Sequence, residues 1–222
     1  MIHHLEKNNI LQEGKKGLVF GVGTERLPSL FANMGASIVA TDAPPEIGDA
    51  WKGGDQFSEN LSGLYFKDLV DYQNFERRVS YKTCDMNNID EEFINFDFNW
   101  SSCCFEHLGS LENGMNFVIN SVEKTLKQNG IAVHTTEFNL SSNNETLETG
   151  HTVIYRRRDI EELVNRLERR GHSVQSFVIA PDSHPLDFHV DIPPYIHAPH
   201  IRLMYEKYIV TSVGLVIKRG RV

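Results

Sequence analysis

The chain has 222 residues, 40% of them hydrophobic, which suffices for one well-buried core and not for two full domains, so a single domain over 1–222 is expected. A formal charge of -8 argues against a broad phosphate-tracking surface, and no nucleic-acid partner is expected. No apolar run approaches the roughly 20 residues of a membrane span, the start MIHHLEKNN lacks the apolar stretch of a secretory signal, and Cys84, Cys103 and Cys104 are odd in number with two adjacent. A cytoplasmic protein with reduced thiols follows from this reading.

Strand-like and helix-like segments alternate, the pattern of a sheet covered by helices on both faces. Lys16 to Val22 reads as a buried strand. Leu27, Leu30, Phe31 and Met34 then recur at helical spacing, with Pro28 in the first turn and Gly35 at the stop. Ser37 to Thr41 is a second strand and ends at Asp42. Between Ala43 and Tyr81, PPEIGDAWKGGDQF reads as a functional loop and Leu61 to Phe75 as a helix. Ser80 to Cys84 is a short strand leading into Asp85, and Phe96 to Ser102 is another.

Leu111, Met115, Val118, Val122 and Leu126 mark one amphipathic helix closed by Asn129 and Gly130, after which Ile131 to Thr135 is a strand. Asp159 with Glu162 reads as a helix cap, and Ile160, Leu163, Val164 and Leu167 as the buried face of a helix ending at Gly171. Val174 to Ile179 and Tyr208 to Lys218 are expected to be adjacent antiparallel strands. The connection over 180–207 is far longer than an ordinary loop and reads as a substrate lid.

The site-bearing stretch is GLVFGVGTERLPSLFANMGASIVATD. Gly21 and Gly23 sit where a strand turns into a helix, so the backbone can approach a ligand and helix N–H groups face it. Asp42, at the end of the next strand, is where a carboxylate can accept hydrogen bonds from ribose hydroxyls. A dinucleotide cradle requires a third glycine where this chain has Arg26, which disfavours NAD. Cys84-Asp85-Met86 then offers a carboxylate for an adenine amino group and an apolar side chain for the ring.

At these residues the chain resembles the class I S-adenosylmethionine-dependent methyltransferases. The resemblance implies a Rossmann-like, seven-stranded, mostly parallel α/β sheet with helices on both faces and an antiparallel last strand. It implies S-adenosylmethionine as cofactor, held by Gly21, Val22, Gly23, Asp42, Asp85, Met86 and Ser102. Two positions depart from the family pattern: Val19 stands for the acid before the glycines and Glu25 for the third glycine, and Glu25 can supply the missing charge. The stretch from Trp100 to Glu137, with VHTTEFNLSSNNET, is similar to small methyltransferases associated with glycosyltransferases, so the expected acceptor is a small-molecule or glycan hydroxyl. A non-catalytic scaffold of the same fold and an NAD-dependent oxidoreductase are the competing readings.

Methyl transfer to a hydroxyl requires in-line placement and a base within reach of the proton. His134, His107 and Glu137 follow the fourth and fifth strands and are the expected catalytic residues. A divalent metal is the alternative, with Glu106, His107, His134 and His189 as ligands. The E-x-x-E-H pattern some methyltransferases of this class use for metal has Cys103 in place of its first glutamate. His184, His189, His197 and His200, with Asp187, Asp191 and Tyr195, match no zinc spacing and are assigned to the lid. With too few residues before Lys16 for a substrate cap, the acceptor is expected between that lid and the Ala43 to Tyr81 region. Trp51, Phe57 and Trp100 are candidates for stacking on cofactor or sugar or for core packing, and Arg156 to Arg158 for anion binding or a solvated charge run.

Overall fold

The computed structural model describes residues 1–48, 56–196 and 200–221. In chain order the elements are α1 (Ile2–Lys7), β1 (Lys16–Phe20), α2 (Leu27–Asn33), β2 (Ser37–Asp42), α3 (Pro45–Gly48), α4 (Tyr72–Arg78), β3 (Val79–Thr83), β4 (Phe96–Ser102), α5 (Leu111–Asn120), β5 (Leu126–Asn139), α6 (Arg157–Arg169), β6 (Ser173–Val174), β7 (Val190–Asp191), β8 (Arg202–Tyr205) and β9 (Tyr208–Lys218).

Along β1 the side chains alternate between two buried faces, as a strand period of two dictates. Leu18 and Phe20 pack with Phe105, Phe117 and Leu163 on the α5/α6 side, while Val19 packs with Phe31, Phe98 and Trp100 on the α2/α4 side, where α1 adds the fully buried Leu5. The sheet runs β3-β2-β1-β4-β5-β9, parallel through β5 and antiparallel at β9, the mostly parallel sense with an antiparallel last strand that the family resemblance implies, and β6, β7 and β8 extend it to nine strands instead of seven. The strand order reverses between β1 and β4, so the loops after β1, β2, β3 and β4 converge on one crevice.

Several local elements differ from the sequence reading, each for an identifiable reason. The long amphipathic helix stops at Asn120 and gives way to a wider turn over Ser121–Thr125, so Leu126 opens β5. Hydroxyls compete with the helix ladder there: Ser121 Oγ donates to Val118 O (2.8 Å) and Thr125 Oγ1 to Ser121 O, which also accepts from Asn99 Nδ2 (2.8 Å). The expected helix from Leu61 to Phe75 is a single short turn, Leu61–Leu64, followed by α4, whose start is fixed by Asp71 accepting from Asn74 N (2.9 Å). Asp159 takes part in the cap of α6 from inside its first turn, with Arg156 at the N-cap position and Glu162 uninvolved: its carboxylate accepts from Arg156 N (2.8 Å).

At the far edge, β6 is shorter than expected and covers one end of β9, while β8 covers the other. The connection read as a substrate lid contains the turn Pro185–Phe188, then β7, which pairs in parallel with β8. No helix among the described residues is long and apolar enough to cross a membrane.

Candidate functional site

A cavity of about 440 Å³ opens at the carboxyl edge of β1 to β4, lined by Gly21, Val22, Gly23, Glu25, Asp42, Asp85, Met86, Ser102, Cys103 and His107. The glycine turn forms its floor. Gly21 and Gly23 have φ of 59° and 51°, a conformation that strains any L side chain. A Cβ on Gly21 would also lie 2.7 Å from Cys104 Sγ, and one on Gly23 3.1 Å from Gln56 O. Val22 N donates to Thr41 O (2.9 Å), tying the turn to β2.

Asp42 is 5% exposed and accepts three backbone hydrogen bonds, from Gly23 N (3.0 Å) and Ser58 N (3.0 Å) at Oδ2 and from Ala43 N (2.9 Å) at Oδ1. Burial raises its pKa and the three amides oppose the rise. One carboxylate thus pins the glycine turn and the segment around Ser58 to the end of β2. Asp85 shares the cavity wall, its Oδ1 accepting from Asn87 N (2.8 Å).

Glu25 is the feature the motif alone did not resolve. Its carboxylate accepts from Trp100 Nε1 (2.6 Å) and Ser102 Oγ (3.0 Å), both on β4. Burial pushes its pKa up to about 7, against these two donors. Val19 is fully buried in the α2-side core, so the acid in the cavity stands at the third glycine position instead of the usual one. Trp100 is likewise a core ring, in contact with Phe31 and Phe98, that reaches the cavity only through its indole N–H. Arg26 pairs with Asp68 and lies over the Phe66 ring (4.6 Å), away from the cavity lining.

Most of the expected catalytic set is placed differently. His134 is fully buried, its Nδ1 at 2.8 Å from Ser101 Oγ and its Nε2 at 3.1 Å from Ser121 Oγ, with Phe105 and Phe117 against the ring. Burial lowers its pKa to about 3, so it is a neutral core residue and not a base facing a substrate. His107 does line the cavity, with Nδ1 at 3.0 Å from His151 O and 3.2 Å from Thr152 Oγ1. Glu137 lies beyond the cavity wall on β5, half-buried, with Ser212 and His200 bearing on its carboxylate.

The expected ligand set of Glu106, His107, His134 and His189 is not assembled. Among the described residues, the one group with ligand spacing is Cys103, Glu106 and Glu137. His189 is exposed on the segment before β7. In the expected lid, His184 Nδ1 accepts from Leu186 N (3.2 Å), His200 Nδ1 lies 2.9 Å from Asp191 Oδ2, and none of its described residues lines the cavity. His197 and Trp51 lie outside the described residues. Arg156 is neither an anion site nor a solvated charge: it is buried and bonded to Asp159, Glu148 and Asn144 O. Phe57 packs where a Cβ on Gly48 would lie, 2.2 Å from its ring.

No family model matches the chain, and no curated protein matches its sequence. Solved structures do match by fold. The methyltransferase domain of a bacterial protein, CtHen1, superposes with a TM-score of 0.57 at 16% identity, covering 98% of this chain and 94% of that one. Magnesium protoporphyrin IX methyltransferase from Synechocystis PCC 6803, solved with bound S-adenosylhomocysteine, gives 0.56 at 12%, covering 99% and 80%. An S-adenosylmethionine-dependent methyltransferase from Clostridium acetobutylicum gives 0.53 at 12%, covering 99% and 89%. The chain therefore has the Rossmann-like fold of these methyltransferases.

Proposed function

We propose that this chain is an S-adenosylmethionine-dependent methyltransferase acting on a hydroxyl of a small-molecule or glycan acceptor. The observation that carries the cofactor assignment is that Gly21, Gly23, Glu25, Asp42 and Asp85 line one cavity at the point where strand order reverses. Its volume of about 440 Å³ lies within the few hundred Å³ typical of small-ligand sites. When bound, the cofactor supplies an electrophilic methyl group on a sulfonium.

The residues fit that molecule by charge and shape. Asp42 and Asp85 stand at the ends of adjacent strands, suited to a ribose and an adenine amino group, with Met86 as an apolar surface for the ring. Asp42 spends three of the roughly four acceptor sites of a carboxylate on backbone amides and keeps one for a ribose hydroxyl. Glu25, fixed by Trp100 and Ser102, is the carboxylate for the methionyl ammonium, in place of the missing acid at Val19. A dinucleotide is disfavoured because Arg26, the cation nearest the turn in sequence, is committed to Asp68 and Phe66.

With His134 in the core, His107 is the imidazole left on the cavity wall for proton removal, and Glu137 lies behind that wall. Burial lowers the His107 pKa, which keeps it neutral and able to accept a proton at neutral pH. Net charge averages over the whole surface and does not decide among acceptor classes, so the acceptor assignment rests on the resemblance of the Trp100 to Glu137 stretch alone.

Calorimetric titration with S-adenosylmethionine, S-adenosylhomocysteine and NAD tests the reading. Binding of the first two at micromolar levels with no response to NAD is expected. Preferential NAD binding overturns it, and no binding of any of the three leaves the scaffold reading.

A further inference from the structure

One cluster of ligand-type side chains beside the cavity takes no part in holding the cofactor. Cys103 Sγ and one carboxylate oxygen each from Glu106 and Glu137 lie within 4.8 Å of one another. The register of β4 against β5, with Ser102 opposite Thr135, brings Cys103 and Glu106 from the loop after β4 to Glu137 near the end of β5. Cys103 N is held by Thr135 O (3.1 Å) and Thr135 Oγ1 (3.0 Å), which fixes where its side chain starts.

The group is chemically incomplete. Glu106 is fully buried, yet only its Oε2 is satisfied, by Thr136 Oγ1 (3.0 Å); Oε1 has no hydrogen-bond partner. The backbone N–H groups of Glu106 and Glu137 also donate toward the carboxylate, yet Oε1 stays without a partner. An unpaired buried oxygen of this kind costs about 1–3 kcal/mol unless something meets it. A thiol and two carboxyls at ligand spacing, with one buried oxygen unmet, form a place that a cation would complete.

We propose that Cys103, Glu106 and Glu137 form a divalent-cation site of thiolate–carboxylate type that selects zinc or cobalt over magnesium. Sulfur favours the softer ions, and three protein ligands leave a tetrahedral ion one open position. Because Cys103 also lines the cavity, the ion sits in the cavity wall, where the open position can take an acceptor oxygen. Zinc–sulfur and zinc–oxygen bonds of about 2.3 and 2.0–2.2 Å put ligand atoms roughly 3.5 Å apart, so the group closes by about 1 Å on binding. The histidines of the sequence pattern are occupied elsewhere, His107 against His151 O and His134 between Ser101 and Ser121. The site's role in methyl transfer rests on the proposed function, whereas its existence does not.

Cobalt(II) titration of the chelator-treated full chain tests it. One equivalent is expected to bind with a thiolate-to-cobalt charge-transfer absorption in the near ultraviolet, displaced by zinc and not by magnesium. Cys103→Ser should abolish that absorption, and Glu106→Gln and Glu137→Gln should each weaken binding at least about tenfold. Should Glu106→Gln fail to fold, as judged by circular dichroism, Glu137→Gln at its half-buried position carries the test. No charge-transfer absorption, or cobalt binding indifferent to Cys103→Ser and Glu137→Gln, overturns the site and leaves two carboxyls sharing a proton. A cobalt site in a chain that binds no S-adenosylmethionine would sink the function and keep the site; the reverse result would do the opposite.

Discussion

Two buried carboxylates stand at the same edge of the sheet and are treated in opposite ways. Asp42, 5% exposed, has both oxygens met by backbone N–H groups from the segments around it; Glu106, 0% exposed, has Oε2 met by Thr136 and keeps Oε1 without a partner. The β1–β3 end of the crevice is therefore completed by the chain itself, and a ligand there adds to a finished frame. At the β4–β5 end the hydroxyls of Thr135, Thr136 and Ser212 meet the thiol and the acids in part, and one Glu106 oxygen is left for the proposed cation.

The sharpest way to break this contrast is to neutralise each acid. Asp42→Asn puts an amide donor among three backbone donors and should lower unfolding free energy by about 3–4 kcal/mol, whereas Glu106→Gln should change it by less than about 1 kcal/mol. Equal losses in urea denaturation would erase the difference between the two ends. His134→Ala comes next: it empties a buried site and strands the Ser101 hydroxyl, while Ser121 keeps its bond to Val118 O, costing about 2–3 kcal/mol, with S-adenosylmethionine affinity unchanged within about threefold. A lost affinity without lost stability would return His134 to the site.

The same histidine gives a pH signature. Its folded pKa of about 3 lies below the ordinary 6.5, so its contribution to stability is present above pH 6.5 and is lost as pH falls toward 3. The unfolding midpoint should drop over that window and drop less steeply in His134→Ala. Gly21→Ala should then cost about 2 kcal/mol, since a left-handed φ and Cys104 Sγ both oppose a Cβ, as thermal unfolding would reveal.

The smallest effect concerns Glu25. With its pKa raised to about 7, it is mostly neutral below that pH and ionised above it, so affinity for a cationic amino group should rise as pH passes upward through 7. Glu25→Gln should lose about tenfold in S-adenosylmethionine affinity near pH 7.5, or about 1.4 kcal/mol, and little near pH 6. Asp42, its pKa raised by burial, shares the cavity, and a pH response unchanged in the variant would assign it there.

The end of the crevice finished by backbone was also the legible one. A glycine turn and a strand-terminal acid have positions set by local chain geometry, so Gly21, Gly23, Asp42 and Asp85 could be read from spacing and were found together. His134 could not, because β5 is covered on both faces near its middle and its run IAVHTT shows no alternation to say which way a residue points. Glu25 stood out as a departure from pattern, but its partners Trp100 and Ser102 are 75 and 77 residues away. Cys103 and Glu106 have visible spacing, whereas Glu137 joins them only through the β4–β5 register. In the segment over 180–207, length spoke for a lid-like loop, and the β7–β8 pairing that orders part of it is decided by contacts the local sequence does not carry.

The indole of Trp100 joins the two environments of this protein in one chromophore. Its rings lie against Phe31 and Phe98 in the dry interior, while its N–H ends on the Glu25 carboxylate. The sequence has only 2 tryptophans, so a Trp51→Phe variant would leave a single emitter whose spectrum follows the charge and covering of that carboxylate. The molecule thus carries its own optical gauge of occupancy, readable without a label and before any acceptor is identified.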